Sequence, residues 1–255
     1  MSKKQSSTLF CLTLILAITF GPAVVWGQLS DTRAWVADID GQYRIVPNIT
    51  YFTSNNYQAN LDLYTPRNSA QPSPVLVYIH GGGWVGGSKE SSTLRLLPYL
   101  QMGWSVINVE YRLARNSLAP AAVEDCRCAL RWIIRNAEEY NFNTDKIVLT
   151  GHSAGGHLSL TTGILPASAG LDRQCPGNEI LKVAAIINWY GITDVGDLLE
   201  GANMKNYAVA WMGSMKNRHD IAERVSPLTY VRPGLPPILT IHGDADPTVP
   251  YDQAV

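Results

Sequence analysis

Short apolar runs that alternate with helical segments constrain the fold of this chain more than any other feature. Residues 75–79 are almost purely apolar, and residues 105–109 form a similar run. Such runs are typical of strands that are buried on both faces of a sheet. Between residues 119 and 140 apolar side chains recur every three or four positions, which predicts a helix. This alternation predicts an α/β fold with a mostly parallel sheet and helices on both faces.

The same reasoning extends the pattern to the rest of the chain. Further strands are predicted at 43–52, 58–64, 146–150, 183–189 and 237–241, with a helix at 154–165. The first two of these strands flank a turn sequence and are expected to pair antiparallel.

Residues from about 194 to 233 interrupt the rhythm, since they are long for a connection between adjacent strands. One interpretation is a helical excursion with its own small packing cluster. The interpretation that we favour is a small cap insertion lining one side of a substrate cleft.

Residues 1–27 have the pattern of a secretory signal peptide. Two lysines precede an apolar run at 9–20, and small residues allow cleavage after Gly27. The alternative is a membrane anchor, but the run is short against the roughly 20 residues that a bilayer span requires. We therefore expect a secreted or periplasmic domain at 28–255, without a stable membrane span after cleavage.

Charge and cysteine content limit the partners and cofactors. The 255 residues include 20 basic and 21 acidic side chains, so no basic excess favours a nucleic-acid partner. In an oxidising compartment the three cysteines of 28–255 permit one disulfide and leave one thiol. Cys126 and Cys128 point to different faces of the predicted helix, so a bridge from Cys128 or Cys126 to Cys175 is expected, with three buried thiols as the alternative. No histidine stands at ligand spacing from them, so a metal site is not expected. No nucleotide-binding loop appears either, so no cofactor is expected.

The first segment that carries chemistry is Gly151-His152-Ser153-Ala154-Gly155, between a predicted strand and a predicted helix. This is the context of a nucleophile elbow, in which a sharp turn lifts a serine hydroxyl out of the sheet. The positive end of the following helix then faces the oxyanion that develops in the reaction. The alternative is a purely structural strand-to-helix turn.

The second segment, His80-Gly81-Gly82-Gly83-Trp84, follows the strand at 75–79. Its glycines allow the backbone N–H groups of Gly82 and Gly83 to point at one spot and, with the N–H of Ala154, to form an oxyanion hole. Phosphate binding is the alternative, but no Lys-Ser/Thr pair and no G-x-G-x-x-G pattern accompanies this loop. His80 is expected to orient the loop through hydrogen bonds.

The third segment runs from His242 to Pro250, after the last predicted strand. An acid in this loop can orient a catalytic histidine. Asp246 is the preferred candidate, and Asp244 is expected to cap the turn.

Together these segments resemble α/β-hydrolases of the hormone-sensitive-lipase type. More closely, they resemble bacterial bifunctional acetylxylan and feruloyl esterases, the BD-FAE-like proteins. The matching motifs are HGGGW at 80–84, GHSAGG at 151–156 and HGxxDxxVP at 242–250. The segment 109–113 resembles a DYRL motif in which Glu110 replaces the aspartate.

The resemblance implies an α/β-hydrolase fold with Ser153 as nucleophile and Asp246 as triad acid. Gly82, Gly83 and Ala154 are implied as the oxyanion donors. Trp84, Trp189 and Tyr190 are expected near the cleft because each follows the carboxyl end of a strand, with ordinary core positions as the alternative.

The implied triad lacks its histidine. In this fold the order is serine, acid, histidine, yet all five histidines precede Asp246. His219 is the only conceivable substitute. We therefore expect the domain to be C-terminally truncated, with the histidine beyond Val255.

The implied activity is that of a secreted serine ester hydrolase. Its expected substrates are short-chain or carbohydrate-linked acyl esters, acetyl or feruloyl. The alternatives are an amide or peptide-bond hydrolase of the same fold, and a binding protein without catalysis.

Overall fold

Seven strands of the described chain form one mixed sheet. The computed structural model describes residues 37–39 and 41–255, and the predicted signal peptide lies outside them. The strands are β1 (Tyr43–Ser54), β2 (Tyr57–Pro66), β3 (Ser73–Ile79), β4 (Ser105–Val109), β5 (Phe142–His152), β6 (Ala185–Trp189) and β7 (Ile238–Ile241). Their order in the sheet is β1-β2-β4-β3-β5-β6-β7. The pairs β1–β2 and β2–β4 are antiparallel, and all the other pairs are parallel.

Helices and short helical turns connect these strands. The α-helices are α1 (Leu97–Gln101), α2 (Ala121–Arg135), α3 (Ala154–Ile164), α4 (Asn206–Met212) and α5 (Arg218–Val225). Short 3₁₀ helices span Lys89–Leu96, Ala167–Ala169, Gly196–Leu198, Gly201–Asn203, Pro227–Tyr230 and Tyr251–Ala254.

The two faces of the sheet are buried in separate apolar clusters. Successive side chains of a strand point to opposite faces. On β3, Val75 and Val77 accordingly join the larger cluster with α2 and α3, whereas Leu76 joins the smaller cluster with Leu100 of α1. The prediction of an α/β fold with a mostly parallel, doubly covered sheet is confirmed.

Two predicted element boundaries need correction. The helix predicted over 119–140 is the shorter α2, and the strand predicted from residue 146 is β5, which begins at Phe142. Phe142 pairs with Ser73 on β3, so the chain must leave the helix and turn before it. At its N-terminal end, α2 begins at Ala121 and not at residue 119. Pro120 precedes it and has no N–H to donate to an earlier turn of helix.

The excursion at 194–233 does not form a packing cluster of its own, so that interpretation is wrong. It contains α4 and α5, and its side chains Leu198, Trp211 and Met212 belong to the larger core cluster. The backbone joins it to the core as well, because Trp211 O accepts a hydrogen bond of 3.1 Å from the N–H of Ala119.

The loop that follows α3 is tied to α2 by a disulfide and by ion pairs. Cys128 on α2 is bonded to Cys175, 47 residues further along, and Cys126 is a buried free thiol. Arg127 and Arg131 of the same helix both reach Asp172, at 3.3 and 2.6 Å. Arg127 also donates to the Leu165 carbonyl at 2.9 Å, so α2 anchors the chain at the end of α3.

Counting thiols tests this pairing in solution. Residues 28–255, denatured without reductant, should show one free thiol, that of Cys126, and three after reduction. Replacing Cys175 by serine should lower the free energy of unfolding by about 2–4 kcal/mol, because the crosslink no longer restricts the unfolded chain. Three free thiols before reduction would show that the bridge does not form.

Candidate active site

Ser153 occupies the turn between β5 and α3 in a strained backbone conformation. Its φ of 54° and ψ of −123° are unusual for a residue with a Cβ and cost of order 1–3 kcal/mol. The turn is held by the Ser153 N–H, which donates to Trp189 O at 2.9 Å, and by Ser153 O, which accepts from the His157 N–H at 3.1 Å. The side chain is only half-buried. The surrounding hydrogen bonds thus maintain the geometry that a nucleophile elbow requires.

The elbow packs backbone to backbone against the end of β3. A Cβ placed on Gly155 would lie 2.6 Å from His80 O and closer still to Ile79 O. Only glycine therefore permits this approach, which brings the loop that starts at His80 beside Ser153.

The loop after β3 leaves backbone donors unpaired. Gly82 (φ 120°) and Gly83 (φ 59°) adopt conformations that favour glycine. Gly82 O closes the turn by accepting from the N–H groups of Val85 and Gly86 at 3.1 and 3.0 Å. Within residues 41–255, the N–H groups of Gly82 and Gly83 donate to no protein acceptor, nor does that of Ala154 at the start of α3. Unpaired N–H groups are what an oxyanion hole needs.

His80 holds the start of this loop through its buried ring. Its ring is buried and stacks on Tyr111, with centroids 4.3 Å apart. Its Nδ1 lies 2.7 Å from Gly81 O and donates to it, so this imidazole binds the loop rather than facing the Ser153 hydroxyl.

Asp246 caps its own turn with one oxygen and leaves the other available. Oδ1 accepts from the N–H groups of Thr248 and Val249 at 2.7 and 3.1 Å. Oδ2 lies 3.8 Å from Nε2 of His242, which itself donates to Val249 O at 3.0 Å. The turn-capping role that we expected of Asp244 therefore belongs to Asp246.

Tyr207 of α4 is a site residue that the sequence analysis missed. A Cβ on Gly83 would lie 2.8 Å from Cβ of Tyr207, and the Tyr207 hydroxyl donates to Thr248 O at 3.1 Å. One side chain thus contacts both the glycine loop and the Asp246 loop. Burial, with a smaller contribution from the Asp246 charge, raises the pKa of Tyr207 to about 12, so it remains a neutral donor. Beyond its place in the excursion, no sequence signal marks it.

The three aromatic residues expected near the cleft differ in their surroundings. Trp84 is completely buried and stacks on Trp211, with ring centroids 4.2 Å apart, so its indole faces the core instead of a ligand. Trp189 is 37% exposed and borders a cavity of about 120 Å³. Tyr190 is half-buried, with its ring centroid 6.1 Å from that of His152 and 6.3 Å from that of His242.

No histidine between residues 41 and 255 forms a hydrogen bond with the Ser153 hydroxyl. The partners of His80 and His242 are given above, and His152 bonds the Tyr78 hydroxyl at 3.0 Å through Nδ1. His219 is exposed and pairs with Glu200 at 3.2 Å. Among the described residues, no general base is therefore hydrogen-bonded to the Ser153 hydroxyl.

His157 joins α3 to the excursion at 194–233. Trp84 Nε1 donates to its Nδ1 at 3.2 Å, so the ring proton is on Nε2, which donates to Val225 O at 2.7 Å. Complete burial lowers the pKa of His157 from its ordinary 6.5 to about 4, against a smaller opposing effect of the carbonyl.

This shift predicts a loss of stability in mild acid. Between pH 6.5 and 4 the unfolded chain binds a proton at His157 that the folded chain does not bind, so acid favours unfolding. The cost at pH 5 relative to pH 7 is about 2 kcal/mol by linkage. Urea unfolding at both pH values should show at least this loss in the native chain, because burial also lowers the pKa of His152 to about 4. His157→Gln, which keeps a donor and an acceptor, should lose about 2 kcal/mol less than the native chain. Equal losses in the two proteins would contradict the assignment.

The described residues lack two further features. No helix among residues 37–39 and 41–255 has the length and hydropathy to cross a bilayer. The same residues contain no group of three or more His, Cys, Asp or Glu side chains arranged to hold a metal ion.

The sheet order and the strained serine between β5 and α3 define an α/β-hydrolase of the hormone-sensitive-lipase type. The sequence model of the BD-FAE family matches residues 61–255. The chain belongs to the BD-FAE family.

Several esterases of known name are similar to the chain. Esterase LipC of Mycobacterium tuberculosis is 29% identical over 189 residues, which is 72% of this chain and 47% of LipC. The probable carboxylic ester hydrolase LipM of the same organism is 32% identical over 196 residues, 71% of this chain and 43% of LipM. An acetyl esterase of Salmonella schwarzengrund is 30% identical over 164 residues, 64% of this chain and 47% of that enzyme. The chain spans about half the length of these curated relatives.

Solved structures share the fold. A truncated carbohydrate esterase from gut microbiota superposes with a TM-score of 0.71 at 27% identity, over 84% of this chain and 81% of that one. Butyrate-bound esterase 2 of Thermogutta terrifontis superposes with a TM-score of 0.69 at 26% identity, over 84% and 76% of the two chains.

Proposed function

We propose that this chain is the catalytic domain of a secreted or periplasmic serine ester hydrolase. The observation that carries the proposal is the strained φ of 54° at Ser153, maintained at a strand–helix turn. The N–H groups of Gly82, Gly83 and Ala154, which have no acceptor among residues 41–255, accompany it. Strain of this kind persists where the surrounding structure maintains it, and it is concentrated at functional sites. Its esterase relatives support the same reaction class.

The reaction would proceed through an acyl-enzyme. The Ser153 oxygen attacks the ester carbonyl carbon, and its proton would pass to a histidine oriented by Asp246. No histidine among residues 41–255 bonds the Ser153 hydroxyl, so this base is the part of the triad that the described residues do not supply. The carbonyl oxygen becomes an oxyanion that accepts hydrogen bonds from Gly82, Gly83 and Ala154. The histidine then protonates the leaving alcohol, and water hydrolyses the acyl-serine in a second round of the same steps. Loss of one oxyanion donor typically costs about 3–4 kcal/mol of transition-state stabilisation.

For the substrate we propose short-chain or carbohydrate-linked acyl esters, with acetyl and feruloyl groups as the candidates. Similar proteins are named acetyl esterase and carbohydrate esterase, which supports this class. Trp189 offers an exposed aromatic surface near the carboxyl end of β6, where open α/β sheets bind ligands.

We also propose that residues 194–233 act as a cap on this site. Contacts of Tyr207 in α4 and of Lys205, which precedes α4, support this role. Tyr207 lies against Gly83 and bonds Thr248 O, and Lys205 donates to Pro247 O at 3.1 Å. The excursion therefore spans the glycine loop and the Asp246 loop.

A substrate panel tests the activity. We expect exported protein that contains the triad histidine to release p-nitrophenol from p-nitrophenyl acetate and acetate from acetylated xylan. It should leave aminoacyl anilides intact. A fluorophosphonate probe should label Ser153, and the exported protein should begin at Gln28. Anilide hydrolysis as fast as ester hydrolysis would assign the site to amide bonds. Absence of both turnover and labelling in protein that contains the triad histidine would exclude a serine hydrolase.

A further inference from the structure

The segment at the end of β4, Val109-Glu110-Tyr111-Arg112-Leu113, has no role in the reaction described above. Arg112 is structural, since it forms a buried ion pair with Asp125 of α2 at 2.7 Å. Glu110 and Tyr111 instead both face His80, the residue that opens the glycine loop.

Tyr111 contacts His80 through its ring and through its hydroxyl. The two rings stack at an interplanar angle of 15°, and the Tyr111 hydroxyl donates to His80 O at 3.0 Å. Tyr111 and His80 are both completely buried. This carbonyl belongs to the peptide that leads directly into Gly81, so without the hydroxyl a buried acceptor at the base of the loop would lose its donor.

Glu110 lies beside the Nε2 atom of the same imidazole. Its Oε1 lies 3.5 Å from Nε2 of His80, a buried atom that has no hydrogen-bond partner among the described residues. Its Oε2 accepts from the Lys89 N–H at 2.7 Å. Lys89 O accepts from Asn108 Nδ2 at 2.7 Å, which anchors this arrangement to β4.

We infer that Glu110 and Tyr111 are positioning residues that hold His80 and, through the His80–Gly81 contact, set the direction of the Gly82 and Gly83 N–H groups. The inference rests on the proposed function only in taking these groups as the oxyanion donors. The two residues differ from ordinary core side chains because both contact His80, the residue at the base of the loop. Tyr111 contacts its carbonyl oxygen and its ring face, and Glu110 lies beside its Nε2.

The test is amide hydrogen exchange in the native chain. The N–H groups of Val85 and Gly86 both donate to Gly82 O, so their exchange reports opening of the loop. Tyr111→Phe removes one oxygen atom and keeps the stacked ring. We expect it to speed the exchange of these two amides about tenfold by local opening.

The matched control is Tyr43→Phe. Tyr43 is also buried and donates to backbone carbonyls, Leu100 O at 2.6 Å and Trp104 O at 3.0 Å, but it belongs to the smaller cluster on the opposite face of the sheet. We expect it to leave the Val85 and Gly86 rates within about twofold of those in the native chain. Equal rates in the two variants would overturn the inference, since a merely structural hydroxyl would give that result.

Glu110 variants provide an independent measurement should Tyr111→Phe fail to fold. Glu110→Ala should speed the exchange of the same amides, and the isosteric Glu110→Gln, which keeps an acceptor for the Lys89 N–H, should restore part of the protection. Unchanged exchange in Glu110→Ala would remove Glu110 from the proposal.

Turnover separates this inference from the proposed function. In protein that hydrolyses p-nitrophenyl acetate, Tyr111→Phe should lower kcat about tenfold and leave KM unchanged, because the donors act on the transition state. Faster loop exchange in a protein that hydrolyses no ester would support the positioning role and overturn the esterase proposal. Native exchange in Tyr111→Phe would overturn the positioning role whether or not the protein is an esterase.

Discussion

Replacing Ser153 by alanine is expected to lower kcat for p-nitrophenyl acetate by a factor of about 10⁶ in protein whose triad includes a histidine. The alanine removes the oxygen that forms the acyl-enzyme in the proposed reaction and leaves the proposed oxyanion donors in place. KM should change little, because the ester would still bind beside Gly82 and Gly83. The measurement is steady-state hydrolysis of the native protein and the variant, purified identically, with labelling by a fluorophosphonate probe as a second readout.

Ser105→Ala is the matched control for this substitution. Ser105 is a buried serine at the start of β4, and its hydroxyl bonds Ser73 Oγ at 2.6 Å at the end of the sheet opposite Ser153. It should cost stability without loss of probe labelling. A Ser153→Ala protein that keeps most of its activity would show that another residue is the nucleophile.

Residues 28–255 by themselves are expected to retain only residual turnover, on the order of 10³–10⁴ over the reaction in water. The reason is that no described histidine bonds the Ser153 hydroxyl, so no positioned base removes its proton. Free imidazole should then raise turnover about tenfold, a fraction of the 10²–10⁴ that a positioned base contributes. The experiment follows p-nitrophenyl acetate hydrolysis over a range of imidazole concentrations.

Imidazole also hydrolyses this substrate directly, so Ser153→Ala must be measured at each concentration and its rate subtracted. A full esterase rate without imidazole would show that one of the five histidines acts as the base. His219→Ala would then be the first variant to measure, because His219 is exposed in the proposed cap.

Features that depend on neighbouring residues could be predicted from the sequence. β4 has the predicted bounds, 105–109, and all of its residues are buried. The strained turn at Ser153 lies where glycines on both sides of a serine predicted it. The helix at 119–140 was predicted too long, since apolar periodicity does not reveal that Phe142 must pair with Ser73.

Features that depend on partners far along the chain could not be predicted. Trp84 follows a strand end, as a cleft residue would, but its positive φ and the Trp211 indole from the excursion bury it completely. Tyr207 lies in a helix without a motif, and only the approach of α4 to two loops gives it a place in the site.

By itself, the sequence determined the α/β class, the elbow at Ser153 and the glycine loop, because strand burial and tight turns follow from a few adjacent side chains. The tertiary structure decided which cysteine bonds Cys175, that Asp246 caps its own turn, and that Glu110 and Tyr111 face His80. Each of these depends on distances between segments that are remote in sequence. Such distances are set by packing of the whole sheet and its helices, and no local pattern of residues encodes them.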